Sequence, residues 1–554
     1  MSRRVIITAP PPTPNGDLHV GHLSGPFLAA DVFCRFVRAK GGQTAFASYS
    51  DDNQSYVETT ATRLGEAPEA LCKRCTEEIQ NTLSAARIEM DGYFPTDADH
   101  SAYTCRFLKE LFARGVLKLK EKEFYFSPDT QSYVFEAFLT GYCPECLAET
   151  KGGICETCGH PNNFTEILQP RATLKPDARL VKKMVPIVVL ELEQFRERLK
   201  AFYTDKQGQW RPHILRLVQE CLEKPLPDFP ITYPHSWGIP APFPGVENQV
   251  INAWPELLTG LIKSTTAVAR QKGQADGADD IWQQEHGWQL VQFFGYDNSF
   301  FYTFVHLSLL MAYEGRYVLP STMLINEFYE FANYKFSTSK NHVIWARDLL
   351  EKHGSDHVRF YLALTNPSFQ KANFTSEEML KLVPDKLIEP WVRMSGNMNR
   401  LLTAAGFVHG ASYRPTAEGA RQVQTVIRRY ERFYEIETMN LREAAETLTQ
   451  VLEWVSRRSE FLANELARGS DTINPRLAAD LWALIAALSG ILWPLMPEFA
   501  AGVRIALGLP AEVRWPDDPP SLWRITPAEI PVTILPPLDS GRKERLGENT
   551  VRAA

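Results

Sequence analysis

The turn PTPNGDLHVGH carries His19 and His22 three positions apart around Gly21, with Asn15 and Gly16 just ahead of them. Residues three apart share one face of a helix, and the free amides of a helix N-terminus attract anions. Two imidazoles on such a face can donate to a phosphate, and Gly21 lets the phosphate approach the backbone. Much later in the chain, KFSTSK places Lys335, Ser337, Ser339 and Lys340 in one polar loop. Asp51 closes the strand-like run TAFASYS. An acid at a strand end can pair a cation beside an anion site. A different chemistry is written in GYCPECLAETKGGICETCGH, where Cys143, Cys146, Cys155 and Cys158 form paired C-x2-C knuckles. Four such thiolates offer zinc a tetrahedral shell and can hold together an insert with little core of its own. No histidine or carboxylate is needed, which favours a closed, structural site. Cys72 and Cys75 repeat the spacing within a helical segment and read as packing residues.

The elements that position these groups follow from the pattern around them. RVIIT at residues 4–8 is a β-branched run ending in prolines, an apolar-periodic stretch from Leu18 to Val37 follows, and TAFASYS comes next. Strand, loop, helix and strand in that order give a βαβ unit and a doubly wound, Rossmann-type α/β domain, with the histidine turn where a nucleotide's phosphates would lie. From about Gly115 to Lys224 the chain becomes cysteine-bearing and loop-rich, after which ITYPHSWGIPAPFPG and QLVQFFGYDNSFF return to buried-strand composition. The sheet is therefore expected to be split by an insertion. Beyond about Leu387 the pattern is helical. The expected units are a catalytic domain at 1–114 and 225–330, a zinc-knuckle insert at 115–224, a linker carrying the lysine–serine loop at 331–387, a helical domain at 388–520 and a C-terminal tail at 521–554, mobile from Gly541.

The bulk numbers narrow the class. At 554 residues the chain exceeds one core and should divide into several units. No run of 18 apolar residues is present, which argues against a membrane span. The apolar stretch near the start is too short for a signal peptide, so a cytoplasmic protein is expected. A net charge of -7 argues against a surface given over entirely to nucleic acid.

The histidine turn paired with the KFSTSK loop resembles the two signatures of class I aminoacyl-tRNA synthetases. Together with the zinc-knuckle insert, the WGIPAP stretch at Trp237 to Pro242 and HGSDHVRFYLAL at 353–364, they resemble methionyl-tRNA synthetase from about Val5 to Pro497. That resemblance implies a class I synthetase catalytic domain followed by an anticodon-binding-like helical domain, with ATP and an amino acid as substrates and Mg2+ beside the structural zinc. It implies that His19, His22, Lys335 and Lys340 stabilise charge on the α-phosphate and pyrophosphate during adenylate formation. Asn15, Gly16, Gly21, Ser337 and Ser339 would line the ATP site, Gly295 and Asp297 would approach the ribose, Asp51 would hold the amino-acid ammonium and Pro11 would border it. Thr338 stands where the family has its second lysine, so that either Lys340, two positions on, substitutes or activation is slower than in the family.

The resemblance fails in two places. The family's side-chain pocket, W-x-D-A-P-x-G-Y, is matched by WPELLTGL: Trp254 and Gly260 are kept, while Leu257, Leu258 and Leu261 replace alanine, proline and tyrosine. Asn298 and Tyr302 stand where an apolar residue and a histidine follow the ribose contact. An amide in an apolar wall penalises a thioether unless the amide finds a partner. In the helical domain Asn399 is kept, but Thr403 and Glu465 stand where an arginine and a base-stacking tryptophan are expected, and residues 421–470 balance 8 basic against 8 acidic side chains. The expected enzyme is a monomer that activates an amino acid and passes it to a small N-hydroxylated or amino acceptor, as in hydrazine-forming synthetase-type domains that work beside a cupin partner. A conventional tRNA ligase and a non-catalytic amino-acid- or partner-binding paralogue are the two alternatives.

Overall fold

The computed structural model describes residues 3–206, 210–331, 334–335, 343–468 and 475–538. Five parallel strands form the central sheet: β1 (Arg4–Thr8), β2 (Gln43–Tyr49), β3 (Gly92–Phe94), β4 (Gln289–Gly295) and β5 (Pro320–Asn326). Their order is 3-2-1-4-5. This doubly wound order reverses between β1 and β4, and ligands in such sheets bind where the order reverses, beyond the strand ends. β1 is buried along Val5, Ile6 and Ile7, as a strand with helices on both faces must be.

The segment after β1 does not run into one straight helix. Val20–His22 makes a single α-turn, Leu23–Phe27 widens into a π-helical stretch, and only then does α1 (Leu28–Ala39) begin. Two causes are visible. Pro26 lacks the N–H that a regular helix would use, and Gly25 lies so close to Asn326, at the end of β5, that a Cβ would stand 2.6 Å from its Nδ2. α2 (Ala253–Gln271) packs on β2 and brings Glu256 and Gly260 over the end of that strand.

The insert is less loop-rich than its composition suggests. Leu117–Ser127 and Val181–Glu191 pair antiparallel along most of their length, and helices Arg196–Asp205 and Pro212–Leu222 lead back to the sheet. The cysteine knuckles hang on short strand pairs beside this ladder. α3 (Ser355–Leu364) fuses the α/β unit to the helices that follow: Arg359, buried within it, donates to Asp31 of α1 at 2.6 Å and to the carbonyl of Leu495 at 2.7 Å. Asp31 also accepts from Arg35 at 2.9 Å. Removing one member of so buried an ionic network strands the others, at a cost of about 3–5 kcal/mol.

The C-terminal half is helical, dominated by α4 (Glu389–Ala404) packed on α5 (Leu441–Ala467). Residues 525–531 run back along these helices: the indole N–H groups of Trp482 and Trp391 donate to the carbonyls of Ala528 and Pro531 at 2.7 and 3.1 Å. The expected mobile end from Gly541 lies outside the described residues. Among the described residues no helix is long and apolar enough to cross a membrane.

Candidate active site

The histidine turn is a preassembled unit. The His19 and His22 rings stack with centroids 3.7 Å apart and planes 15° from parallel, and the His19 N–H donates to Nδ1 of His22 at 3.3 Å. With Nδ1 accepting, a neutral His22 carries its proton on Nε2, which makes that nitrogen a donor. Gly21 stands between the two histidines in sequence, and Asn15 N donates to Thr13 O at 2.9 Å in the turn before them. Leu18 to Val20 is stitched to the segment that follows the lysine–serine loop: Val20 N donates to Ile344 O at 3.0 Å, and Ala346 N to Leu18 O at 2.9 Å. On the loop's other side Lys335 ends the strand Tyr334–Lys335, paired with Tyr329–Phe331. The histidine turn is thus bonded through the main chain to residues 344–346, just past the lysine–serine loop, although most of the catalytic domain separates them along the chain. Ser337, Ser339, Lys340 and Thr338 lie outside the described residues.

Asp51 stands at the end of β2, 2% exposed, with Pro12 O accepting from its backbone N–H at 3.2 Å. Its Oδ2 accepts a long bond from Thr13 Oγ1, 3.4 Å, and its buried Oδ1 has no hydrogen-bond partner among the described residues. Burial raises its carboxyl well above the usual carboxylate range, and the neighbouring Glu256 adds to the rise. Such a group needs a cation to stay ionised. Pro11, buried, lies in the same loop.

Across the strand ends, β4 delivers Gly295 and a short turn over Tyr296–Asn298. Asn298 donates from Nδ2 to Oδ1 of Asp297 at 3.2 Å. The amide expected in the side-chain pocket has therefore found a partner in the neighbouring acid. Tyr302 is fully buried, stacked on Phe294 at 4.2 Å, with no partner for its hydroxyl. Trp254 lies face to face with Phe301, ring centroids 3.4 Å apart, and its carbonyl accepts from Nε2 of His306 at 2.8 Å. Burial lowers His306 to about 4, so the ring is neutral. Leu257, Leu258 and Leu261 are all buried in the packing of α2.

Sequence reasoning passed over the most unusual group in this region. Glu256, inside WPELLTGL, is completely buried; its Oε1 accepts from Asn53 Nδ2 at 2.8 Å and bonds His100 Nε2 at 2.9 Å, while its Oε2 is unpartnered. Tyr49, at the end of β2, packs its ring on the bare backbone of Gly260, where a Cβ would come within 2.4 Å of it, and its buried hydroxyl also lacks a partner. The acid itself was visible in the string WPELLTGL. Nothing in the sequence pairs it with His100 or sets Tyr49 beside it.

The four cysteine sulfurs of the insert lie within 4.8 Å of one another, with Cys143 to Cys158 at 3.7 Å and Cys146 to Cys155 at 3.6 Å. Tetrahedral zinc–thiolate bonds of about 2.3 Å place sulfurs about 3.8 Å apart, so the donor set fits that ion. The knuckle also touches the ribose-side turn, since Tyr296 Oη donates to Cys158 O at 3.3 Å.

The paired histidines and the buried acid thus lie beyond the strand ends of a doubly wound sheet, near the point where its order reverses. Residues 5–400 match the family described as tRNA synthetases class I (M), and the chain belongs to that family. It is similar to methionine–tRNA ligases of Rubrobacter xylanophilus, 28% identical over 90% of this chain and 89% of the relative, and of Thermofilum pendens, 30% identical over 70% and 68%. Its fold matches that of Mycobacterium tuberculosis methionyl-tRNA synthetase solved with methionyl-adenylate, with a TM-score of 0.73 at 17% identity over 96% of this chain and 100% of that one. The protein is a class I aminoacyl-tRNA synthetase-like ligase, of the kind that forms aminoacyl adenylates.

Proposed function

We propose that this enzyme condenses ATP with an amino acid and passes the activated acyl group to a small N-hydroxylated or amino acceptor. One observation carries the first step: the main-chain stitching of the histidine turn to the segment after the lysine–serine loop, with Asp51 buried beside it. Asp51 anchors the substrate ammonium, which supplies the missing cation and occupies the free Oδ1. The substrate carboxylate attacks the α-phosphorus, the bond to the β-phosphate breaks, and pyrophosphate leaves. His19 and His22 donate to the phosphate oxygens as their charge grows, with Lys335 and Lys340 closing from the opposite side. Asn15, Gly16 and Gly21 let the triphosphate lie against the turn, Ser337 and Ser339 add hydroxyl donors, and Gly295 and Asp297 receive the ribose. Mg2+ would be held largely by the phosphates themselves, as is usual for that ion, and zinc by the four cysteines. Pro11, Trp254, Leu257, Leu258, Leu261, Asn298 and Tyr302 form the surroundings of the amino-acid side chain, in a cytoplasmic enzyme.

The acceptor assignment rests on Asn399. Both ends of its amide are committed to the backbone of Ile530, Nδ2 donating at 2.9 Å and Oδ1 accepting at 2.8 Å. Glu465 is bound to Arg468 at 3.0 Å. The residue kept from the family's base-reading face thus fastens the C-terminal segment, and a helical domain used as a scaffold needs nothing more. A tRNA acceptor is favoured by a different observation. Trp454 and Phe461 are 41% and 54% exposed on α5, with the Arg458 guanidinium over the Phe461 ring, and exposed aromatics flanked by arginine can stack unpaired bases.

The first test is pyrophosphate exchange with each of the twenty amino acids in turn. Exchange with at least one is expected. Silence with all twenty would reduce the chain to a binding paralogue.

A further inference from the structure

A second cavity lies away from the cleft, where the insert, the sheet edge and the helical half converge. Its volume is about 180 Å3, and Trp210, Arg211, Met323, Phe369, Ile436 and Met439 supply most of its wall. None of the side chains assigned above to ATP or to the amino acid lines it. β5 is the edge strand here, and Arg211 caps its exposed side. The lining is mostly apolar, with Thr322, Glu437 and Thr438 also on it, and one point stands out.

That point is a cation without a counter-charge. Arg211 is 8% exposed, and its Nη1 donates to Ile325 O at 2.6 Å. Its guanidinium carbon sits 4.9 Å above the Phe369 ring. Those are its interactions: no carboxylate among the described residues pairs with it. Glu437, at the rim, is exposed and is not bonded to it. Burial alone pulls Arg211 down to about 9, with no acid to oppose the shift. A guanidinium has five N–H donors, and a single carbonyl leaves most of them to the cavity. Buried charges in native proteins are paired, because an unpaired one costs several kcal/mol.

A second donor lines the same space. Trp210 is 5% exposed, and its indole Nε1 has no partner among the described residues. Two neighbouring residues therefore bring buried, under-used N–H donors, one of them charged, to a pocket whose wall is mostly apolar, with Thr322, Thr438 and the exposed Glu437 completing it.

We propose that this cavity is a binding site for a small organic carboxylate, whose oxygens pair with the Arg211 guanidinium and the Trp210 indole N–H while its apolar body fills the space beside Met323, Ile436 and Met439. A free inorganic anion would satisfy the donors but leave the apolar wall in contact with water. An uncharged apolar molecule would do the reverse. Only a ligand with both parts matches the lining.

Isothermal titration of the full, zinc-loaded chain with hexanoate and phenylacetate tests this, with inorganic phosphate and hexanol as comparison probes. Each carboxylate should bind once per chain, more tightly than either comparison probe. The binding should be unaffected by saturating ATP. Arg211→Met should weaken it about tenfold or more, the loss of one charge-assisted contact. Should that variant fold poorly, Trp210→Phe removes only the indole donor and should weaken binding by a smaller, measurable factor. No saturable carboxylate binding up to about 20 mM, a range that still reports contacts near 2–3 kcal/mol, would overturn the assignment. So would equal affinity in both variants, displacement by ATP, or phosphate binding as tightly as the carboxylates.

Discussion

The two ends of the catalytic cleft are built on opposite plans. At the nucleotide end the contacts are local in sequence: the His19 N–H bonds His22, and the two rings stack. At the amino-acid end Asp51 Oδ1, Glu256 Oε2 and the hydroxyls of Tyr49 and Tyr302 are buried without hydrogen-bond partners among the described residues. Buried polar atoms left unpaired cost about 1–3 kcal/mol each, so this end is stabilised by what binds there. The difference separates two kinds of information. On the proposed assignment the histidine turn supplies one contiguous stretch of the ATP contacts, whereas the amino-acid contacts are spread over β2, α2 and the segment after β4.

The largest effect should come from the incomplete end. Asp51→Asn removes the ammonium's charge partner, and breaking a buried charge-assisted pair costs about 2–5 kcal/mol, read as kcat/KM for the amino acid in pyrophosphate exchange. Its pH dependence sharpens the point. Because burial and Glu256 raise the Asp51 carboxyl, the empty site gives up its proton at a higher pH than an ordinary carboxylate does. Amino-acid affinity of the unaltered enzyme should therefore rise with pH above the usual carboxylate range, until the substrate amine itself deprotonates, and Asp51→Asn should flatten that rise. An unchanged kcat/KM in the variant would show that the unpaired carboxylate does not face the substrate.

At the preassembled end the expected loss is somewhat smaller and falls on a different parameter. His22→Ala and Lys335→Ala should each forfeit about 2–4 kcal/mol of transition-state stabilisation, the range for one preorganised donor. The loss should appear in kcat, with amino-acid binding little altered. If both variants exchanged at the normal rate, the histidine turn would not be the phosphate site.

The smallest effect is expected from the zinc knuckle, which reaches the ribose-side turn through the bond from Tyr296 to Cys158. The purified protein should hold one zinc per chain, and chelation should loosen the Tyr296–Asn298 turn and raise KM for ATP severalfold while exchange persists. Less than half an equivalent of zinc after purification without chelator would remove the metal from the account.

Much of the nucleotide end was legible in the sequence, because its information is local. A β-branched run, a proline-rich turn and the histidine pair suffice to place β1 and the anion site between β1 and the next helix. The paired knuckles are equally local, and their sulfurs converge as the spacing predicts. What the sequence hid depends on residues brought together from afar. The π-helical bend before α1 answers to Asn326 pressing on Gly25. The long ladder in the insert is invisible to a scan for alternation, since Leu117–Ser127 is rich in lysine and glutamate and meets its partner only across the cysteine knuckles. Asn399 illustrates the limit most sharply. Its presence in the sequence says nothing of the bond to Ile530 that determines what it can still recognise.

The central claim is retained adenylate chemistry with a small acceptor. It is tested most directly by supplying the enzyme, at near-physiological salt, with ATP, the amino acid that supports exchange and either total tRNA or a small N-hydroxylated amine, and resolving aminoacylated RNA on an acid gel beside the acylated amine. The account predicts acylated amine formed at a rate comparable to exchange and no charged tRNA, with Trp454→Ala and Phe461→Ala leaving turnover unchanged. Charged tRNA accumulating at the exchange rate, and lost in those two variants, would contradict it and make the exposed face of α5 the acceptor's docking surface.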